Sequence, residues 1–343
     1  MSRLADAAAE RVWGLAIPEF PRALAWLAPQ GRRVAVLSSE GTLAAIDTVA
    51  GDGLWRTAAH QGASALAVSP DGRIVATGGE DGMLRLWNAE DGTAIAEVRA
   101  RGWVERIAWT PDSRRVACSA GRCVWLCSAT GEIERVLDGH LSTIASLAWR
   151  ADGAQLAVAH YGGVTLWEPE LEAPRRMLER KGSILDVAWH PKGRWLAAGC
   201  QDQAVQLWNL RAAKHLYMSG YMTKLSCVAW DRDGRYLATA GGPGATVWDF
   251  AGAGPEGSRP LSLHGHENLV TALAWRPTGT AIAVGDADGR TQLWRINGKA
   301  ADRRARLECG GGVAALVWSP DGEMLVVASE DGNIDGFIVR RQG

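Results

Sequence analysis

The residues of this chain that could do chemistry are few and dispersed. Cys118, Cys123 and Cys127 fall close together, while Cys200, Cys227 and Cys309 stand alone. A thiolate is a nucleophile and a soft metal ligand, so the cluster is the first candidate. On an extended strand Cys123 and Cys127 share a face but lie about 13 Å apart by the rise per residue, too far to hold one ion. No Cys-x-x-Cys pair occurs, and the plain reading is reduced, buried thiols. There is no GxxxxGK[ST] loop to cradle a phosphate, no GxSxG elbow and no HExxH pair. Gly241-Gly242-Pro243-Gly244 reads as a β-turn. More than half of the Asp residues stand in Asp-Gly pairs, where they set turn geometry. The expectation is no catalytic residue, no metal, no cofactor and no small-molecule substrate.

Composition narrows the class. The 343 residues are 47% hydrophobic and 22% charged, which excludes a disordered chain. Lys and Arg number 37 against 38 Asp and Glu. With no positive excess to hold phosphates, a nucleic-acid binder is not expected. No apolar run reaches the length of a membrane span. Asp6 and Glu10 interrupt what would be the apolar core of a leader, so no secretory signal is read and a cytoplasmic location is expected. The odd figure is 17 Trp beside 3 Phe and 4 Tyr: one large ring recurs at some repeated position.

The repeat behind that figure organises the chain. Ala-Trp or a variant precedes a turn-rich tetrad at Trp26, Val68, Trp109, Trp149, Trp189, Trp230, Trp275 and Trp318, at intervals of 42, 41, 40, 40, 41, 45 and 43 residues. That spacing gives eight copies of one unit. Each reads as an apolar strand, then a turn such as Ser69-Pro70-Asp71-Gly72, and a second strand such as Ile74 to Thr77. A tight turn such as Glu80-Asp81-Gly82, an alternating third strand ending in Leu86-Trp87 or an equivalent, and a more polar fourth strand follow. A four-stranded sheet of 40 residues cannot bury both faces alone; a closed ring of such sheets can. The recurring indole is then a wedge between sheets.

Gly139-His140, Gly265-His266, the Ser-Pro-Asp-Gly turns, Trp248-Asp249, Trp87-Asn88 and Trp208-Asn209 resemble those of a WD-repeat β-propeller, here a divergent, stand-alone form of bacterial type. The resemblance covers residues 10 to 340. The expected fold is all-β: one propeller domain over 1–343 with eight four-stranded antiparallel blades, rather than the commoner seven. The blades fall at about 20–59, 60–100, 101–139, 140–179, 180–219, 220–264, 265–309 and 310–343. The last unit ends too soon for its own fourth strand, so residues 11–17 are expected to complete it by edge pairing.

The family's blades carry a hydrogen-bonded His, Ser/Thr, Asp and Trp set, and this chain matches it only in part. The resemblance assigns structural roles to His60, Asp81 and Trp87, with Gly78 where the hydroxyl should stand. It does the same for His140 and Trp167, for Asp202 and Trp208, and for Trp248. His266, Asp288 and Trp294 form the last set, with Asp286 at the hydroxyl position. His160 and Cys200 occupy equivalent places in neighbouring units and read as packing side chains. The segment Ala44 to Trp55 resembles the tryptophan-docking segment of quinoprotein dehydrogenases, but it occurs once, with no adjacent Cys pair. An enzyme or metal-binding propeller using the central channel is the alternative reading.

Function is argued from a site, since this fold hosts many roles. The family binds peptides or domains on the face formed by loops entering the first strand and loops joining strands two and three. Here that face is expected to gather Phe20, Arg22, Trp103, Glu105, Tyr161, Tyr221, Met222, Lys224 and Leu269. Aromatic anchors rimmed by charge suit a protein or peptide partner. The expected function is a non-enzymatic scaffold. Ala251 to Pro260 reads as a flexible spacer.

Overall fold

The computed structural model describes residues 9–27, 31–252 and 254–340. The leader reading at Asp6, most of the first-unit turn at Ala28 to Gly31, and Ala253 of the spacer lie outside the described residues. Within them the chain forms 30 strands and no helix.

In the second, third and eighth units the first turn is locked by its own side chains. Ser69 Oγ donates to the Asp71 carboxylate at 2.6 Å and accepts from the Ile74 N–H at 3.0 Å, while Gly72 N bonds Ser69 O with φ +74°. Thr110 and Asp112 repeat this device at 2.7 Å, and Ser319 and Asp321 at 2.5 Å. The innermost strands then touch in a closed circuit. It runs from Pro21–Leu27 through Ala63–Val68, Val104–Trp109, Ser146–Trp149, Arg176–Trp189, Cys227–Trp230 and Val270–Trp275 to Val313–Trp318, which contacts Pro21–Leu27 again.

Hydrogen bonding divides this ring into seven sheets, six of four strands and one of six. Counted by hydrogen-bonded sheet the propeller has seven blades, and the expectation of eight four-stranded blades is corrected. The reason lies in residues 146–218. The fourth unit lacks the Asp-Gly turn and has Tyr161-Gly162-Gly163, with φ +94° and +138° at the two glycines. Strand pairing runs through this tight reversal: Leu156–Trp167 is one element, and His160 Nε2 meets Thr165 Oγ1 at 2.8 Å across it. Tyr161 pairs onward with Ser183 inside the long strand Arg176–Trp189. That strand bonds Leu156–Trp167 with its first half and Trp195–Cys200 with its second. The fourth and fifth sequence units are therefore fused into one sheet.

The first described strand, Ala9–Ala16, pairs antiparallel with Asn333–Val339 and completes the sheet that ends the chain. Arg340 reaches Glu10 at 3.0 Å, and Arg11 reaches Asp335 at 2.5 Å.

Two sets of indoles hold neighbours together. At the ends of first strands, Trp109, Trp149, Trp189, Trp230, Trp275 and Trp318 each donate Nε1 to the carbonyl of the Ala one repeat earlier, at 3.4, 3.1, 3.0, 3.1, 2.9 and 3.0 Å. The wedge is thus also a rung. At the ends of third strands, Trp87, Trp167 and Trp248 donate instead to side-chain acceptors.

Candidate interaction surfaces and the networks beneath them

The second unit has the complete set. His60 Nδ1 faces Asp81 at 3.0 Å, so that nitrogen carries the proton, and Nε2 accepts from Thr77 Oγ1 at 2.8 Å. Trp87 Nε1 donates to the same hydroxyl at 2.8 Å. The hydroxyl comes from Thr77, correcting the assignment of that place to Gly78. Burial holds His60 below the ordinary imidazole value, against the pull of Asp81. Burial pushes the Asp81 carboxyl up, but Arg85 and His60 outweigh it and hold it low.

Strand register places Thr77 opposite Leu66, and Val284 opposite Leu273 in the seventh unit. A valine therefore stands where the hydroxyl belongs. His266 Nδ1 meets Asp286, not Asp288, at 2.6 Å, with both side chains fully buried. Asp288 instead accepts from Asn268 Nδ2 at 3.0 Å. His266 Nε2 and Trp294 Nε1 are both buried without a partner, which the missing hydroxyl explains. In the fourth unit Trp167 Nε1 donates directly to His140 Nε2 at 3.0 Å, and Val158 fills the hydroxyl place. In the fifth, Asp202 is half exposed and pairs with Arg180 at 2.6 Å, while Trp208 is buried.

In the sixth unit the phenol of Tyr221 takes the histidine's part. It bonds Thr239 Oγ1 at 2.8 Å and accepts from Trp248 Nε1 at 2.9 Å. Burial pushes its pKa up. Tyr221 therefore points inward and leaves the proposed contact face. The third unit substitutes thiols. Cys118 stands opposite Ile107, at the hydroxyl place, and Cys127 opposite Val116, at the indole place. Burial pushes both thiols up, Cys127 to about 12, so neither is a nucleophile at neutral pH. Among the described residues no group of three or more His, Cys, Asp or Glu is placed to hold a metal, and all six cysteines are free.

The remaining expected contact residues sit at one end of the strands. Phe20, Trp103, Lys224 and Leu269 stand six residues before Trp26, Trp109, Trp230 and Trp275 respectively, and Tyr161 lies in the turn at the same end. Trp103 is 56% exposed, Met222 72% and Tyr161 54%, with Phe20 and Leu269 also open. Arg22 and Lys224 are exposed and Glu105 is half-buried. Sequence reading missed Leu141, 63% exposed next to His140 at this end; an apolar residue straight after a Gly-His pair was the available signal.

It also missed Asp186. The position three residues before the repeated Trp (Val68 in the second unit) is Ala23, Ala65, Ala272 or Ala315 on one side of the ring, but Arg106, Ser146, Asp186 and Cys227 on the other. Asp186 accepts from Ser146 Oγ at 3.0 Å, Val187 N at 2.9 Å and Val228 N at 3.1 Å, and so ties three units together. Burial pushes its pKa up, opposed by those donors.

Among the described residues no helix is long and apolar enough to cross a membrane. The computationally designed protein Ika8 shares the architecture with TM-score 0.81 over 94% of this chain and 98% of that one, at 19% identity, a likeness of fold alone. Protein HIR1 of Cryptococcus neoformans is 29% identical over 189 residues, covering 45% of this chain and 20% of the relative. The WD repeat-containing protein slp1 of Schizosaccharomyces pombe is 24% identical, and FIZZY-RELATED 1 of Arabidopsis thaliana 26% identical, each over 168 residues covering 47% of this chain and 34% of the relative. The chain thus matches about a third or less of the length of these relatives. The model of the WD domain, G-beta repeat, matches at 53–88, 131–168, 174–209, 215–249, 257–295 and 304–334, more than half the sequence, and the chain belongs to the WD-repeat family.

Proposed function

We propose that residues 1–343 act as one propeller domain in the cytoplasm, a non-enzymatic scaffold that binds a protein or peptide partner. The contact face is the strand end carrying Phe20, Arg22, Trp103, Glu105, Tyr161, Met222, Lys224 and Leu269, with Leu141 added. The observation that carries the reading is the exposure of several large apolar side chains at one end of the strands, three of them at the same register position, where folding alone would favour polar ones. Anchors of this type, rimmed by Arg22 and Lys224, are what a partner's hot-spot residues pack against. Membership of the WD-repeat family supports a protein partner. Capture of partners from the native cell, with Trp103→Ala and Lys224→Glu variants beside the parent, tests it. Both variants should fold normally and lose the partner; full recovery by both removes the proposed face.

A further inference from the structure

A second surface lies at the opposite ends of the same strands. There the first-strand turns at Arg150 and Lys192 and the link before Arg176 enclose a 550 Å³ cleft between the fourth and fifth units. Its lining holds Arg150, Arg175, Arg176, Lys192 and Arg211 against one acid, Asp152. The chain as a whole carries a net charge of −1, so the concentration is local.

Part of this charge is used internally. Arg150 Nε meets Asp152 at 2.8 Å, and Arg175 Nε reaches Glu168 at 3.5 Å. Gln155 braces both, accepting from Arg150 Nη1 at 2.9 Å and donating to Glu168 at 3.0 Å. These contacts hold the walls. Arg176, Lys192 and Arg211 are exposed and enter no ion pair among the described residues. Three unpaired cations around a concave site repel one another, and an anion seated among them relieves that repulsion. The buried Leu166 and the half-buried Leu210 also line the cleft.

We infer that this cleft binds an acidic peptide segment of a protein partner, carboxylates on Arg176, Lys192 and Arg211 and an apolar side chain against Leu166 and Leu210. Guanidinium forks recognise carboxylates in two-point geometry, and the leucines give a purely anionic polymer nothing to match. Nucleic acid is disfavoured because a phosphate backbone needs a continuous basic stripe, whereas Asp152 lines this site and Glu168 pairs with its Arg175. The inference stands apart from the contact face above, whose variants leave this cleft untouched.

The test is fluorescence anisotropy of the full chain with a labelled peptide of glutamate pairs separated by leucines, at near-physiological salt. The parent should bind. Arg176→Glu with Arg211→Glu should weaken binding at least tenfold, about the effect of losing one charge-assisted contact. Arg99→Glu with Arg259→Glu, the same charge change at exposed sites in other units, should alter it less than twofold. Arg176→Gln with Arg211→Gln, which adds no repulsion, should move it in the same direction as the reversal. Equal effects of cleft and control reversals, no binding by the parent at millimolar peptide, or tighter binding of a single-stranded oligonucleotide would each overturn the proposal.

Discussion

The network comparison makes a paired prediction of opposite sign. Thr77→Val in the second unit keeps the shape of the side chain and removes the hydroxyl that His60 Nε2 and Trp87 Nε1 share at 2.8 Å each. Two buried polar atoms are then left unmet, at roughly 1–3 kcal/mol apiece. Burying a methyl in place of a hydroxyl returns about 1 kcal/mol. The expected loss is about 3 kcal/mol. Val284→Thr in the seventh unit runs the change backwards, giving His266 Nε2 a donor and Trp294 Nε1 an acceptor that both lack. Each new bond is worth about 1 kcal/mol net, less about 1 kcal/mol for the exchanged methyl, so a gain of about 1 kcal/mol is expected. Equilibrium urea unfolding, followed by both indole fluorescence and far-UV circular dichroism so that coincident curves license the two-state treatment, reads both. The reasoning fails if Thr77→Val shifts stability by less than about 0.5 kcal/mol, or if Val284→Thr destabilises by more than about 1 kcal/mol.

Other outcomes follow from the same contacts. Burial lowers the pKa of His60, His140, His190 and His266 in the fold. Between pH about 6.5 and the lowered values the unfolded chain therefore binds more protons than the native one, and stability falls as pH falls through that window. Each of the four adds up to about 1.4 kcal/mol per pH unit, so a flat unfolding midpoint from pH 7 to 5.5 would contradict the buried, neutral assignment. Gly336→Ala should destabilise by about 3 kcal/mol, because its new methyl would land inside the Trp13 indole; Trp13→Leu in the same chain should recover part of the loss in a double-mutant cycle. Asp186→Ala removes the acceptor of the Val187 and Val228 N–H groups and should cost about 2–4 kcal/mol in unfolding free energy. Trp103→Ala, at an exposed site, should leave the melting temperature unchanged while abolishing partner capture.

What was legible in the sequence was what repeats. Turn chemistry at Ser69, Thr110 and Ser319 and the spacing of the Ala-Trp pairs dictated strand order, because each is a local rule that side chains enforce within a few residues. The edge pairing of the first strand followed from the missing fourth strand at the other end. Sheet count did not follow, since it depends on whether the Tyr161 to Gly163 reversal and the Arg180 to Ser183 link keep their ladders, and no composition rule separates a tight turn from a continuing strand. The polar sets were misread by one position at Thr77 and by two at Asp286. Counting from the Asp-Gly turn places the hydroxyl, whereas the strand face decides it: Thr77 and Gly78 point to opposite sides. Tyr221 was misread for a related reason, since an aromatic before a first strand reads as exposed until a neighbouring Thr and Trp claim its hydroxyl. The exposure of Trp103 and Leu269 was legible because each precedes a first strand, outside the alternating pattern that buries side chains.

The indole rungs also show where the ring depends on something other than the repeat. A rung needs a donor at the end of one first strand and a free carbonyl one repeat earlier. Val68 has no donor, and Trp26 directs its Nε1 to Gly31 O of its own turn at 2.8 Å. Both interfaces of the first unit therefore lack the bond that six others have. On one of these interfaces the closing strand supplies the substitute. Trp13 donates to Thr48 O at 2.7 Å and packs with Val34, Val36 and Ile46 of the first unit and Val326, Ala328 and Ile334 of the last. Its ring lies so close to the backbone of Gly336 that no side chain fits between them. The residue that closes the circle is thus of the same type as the rungs but comes from outside the repeat register. That explains why the pattern of Ala-Trp pairs could announce a ring without revealing which indole shuts it.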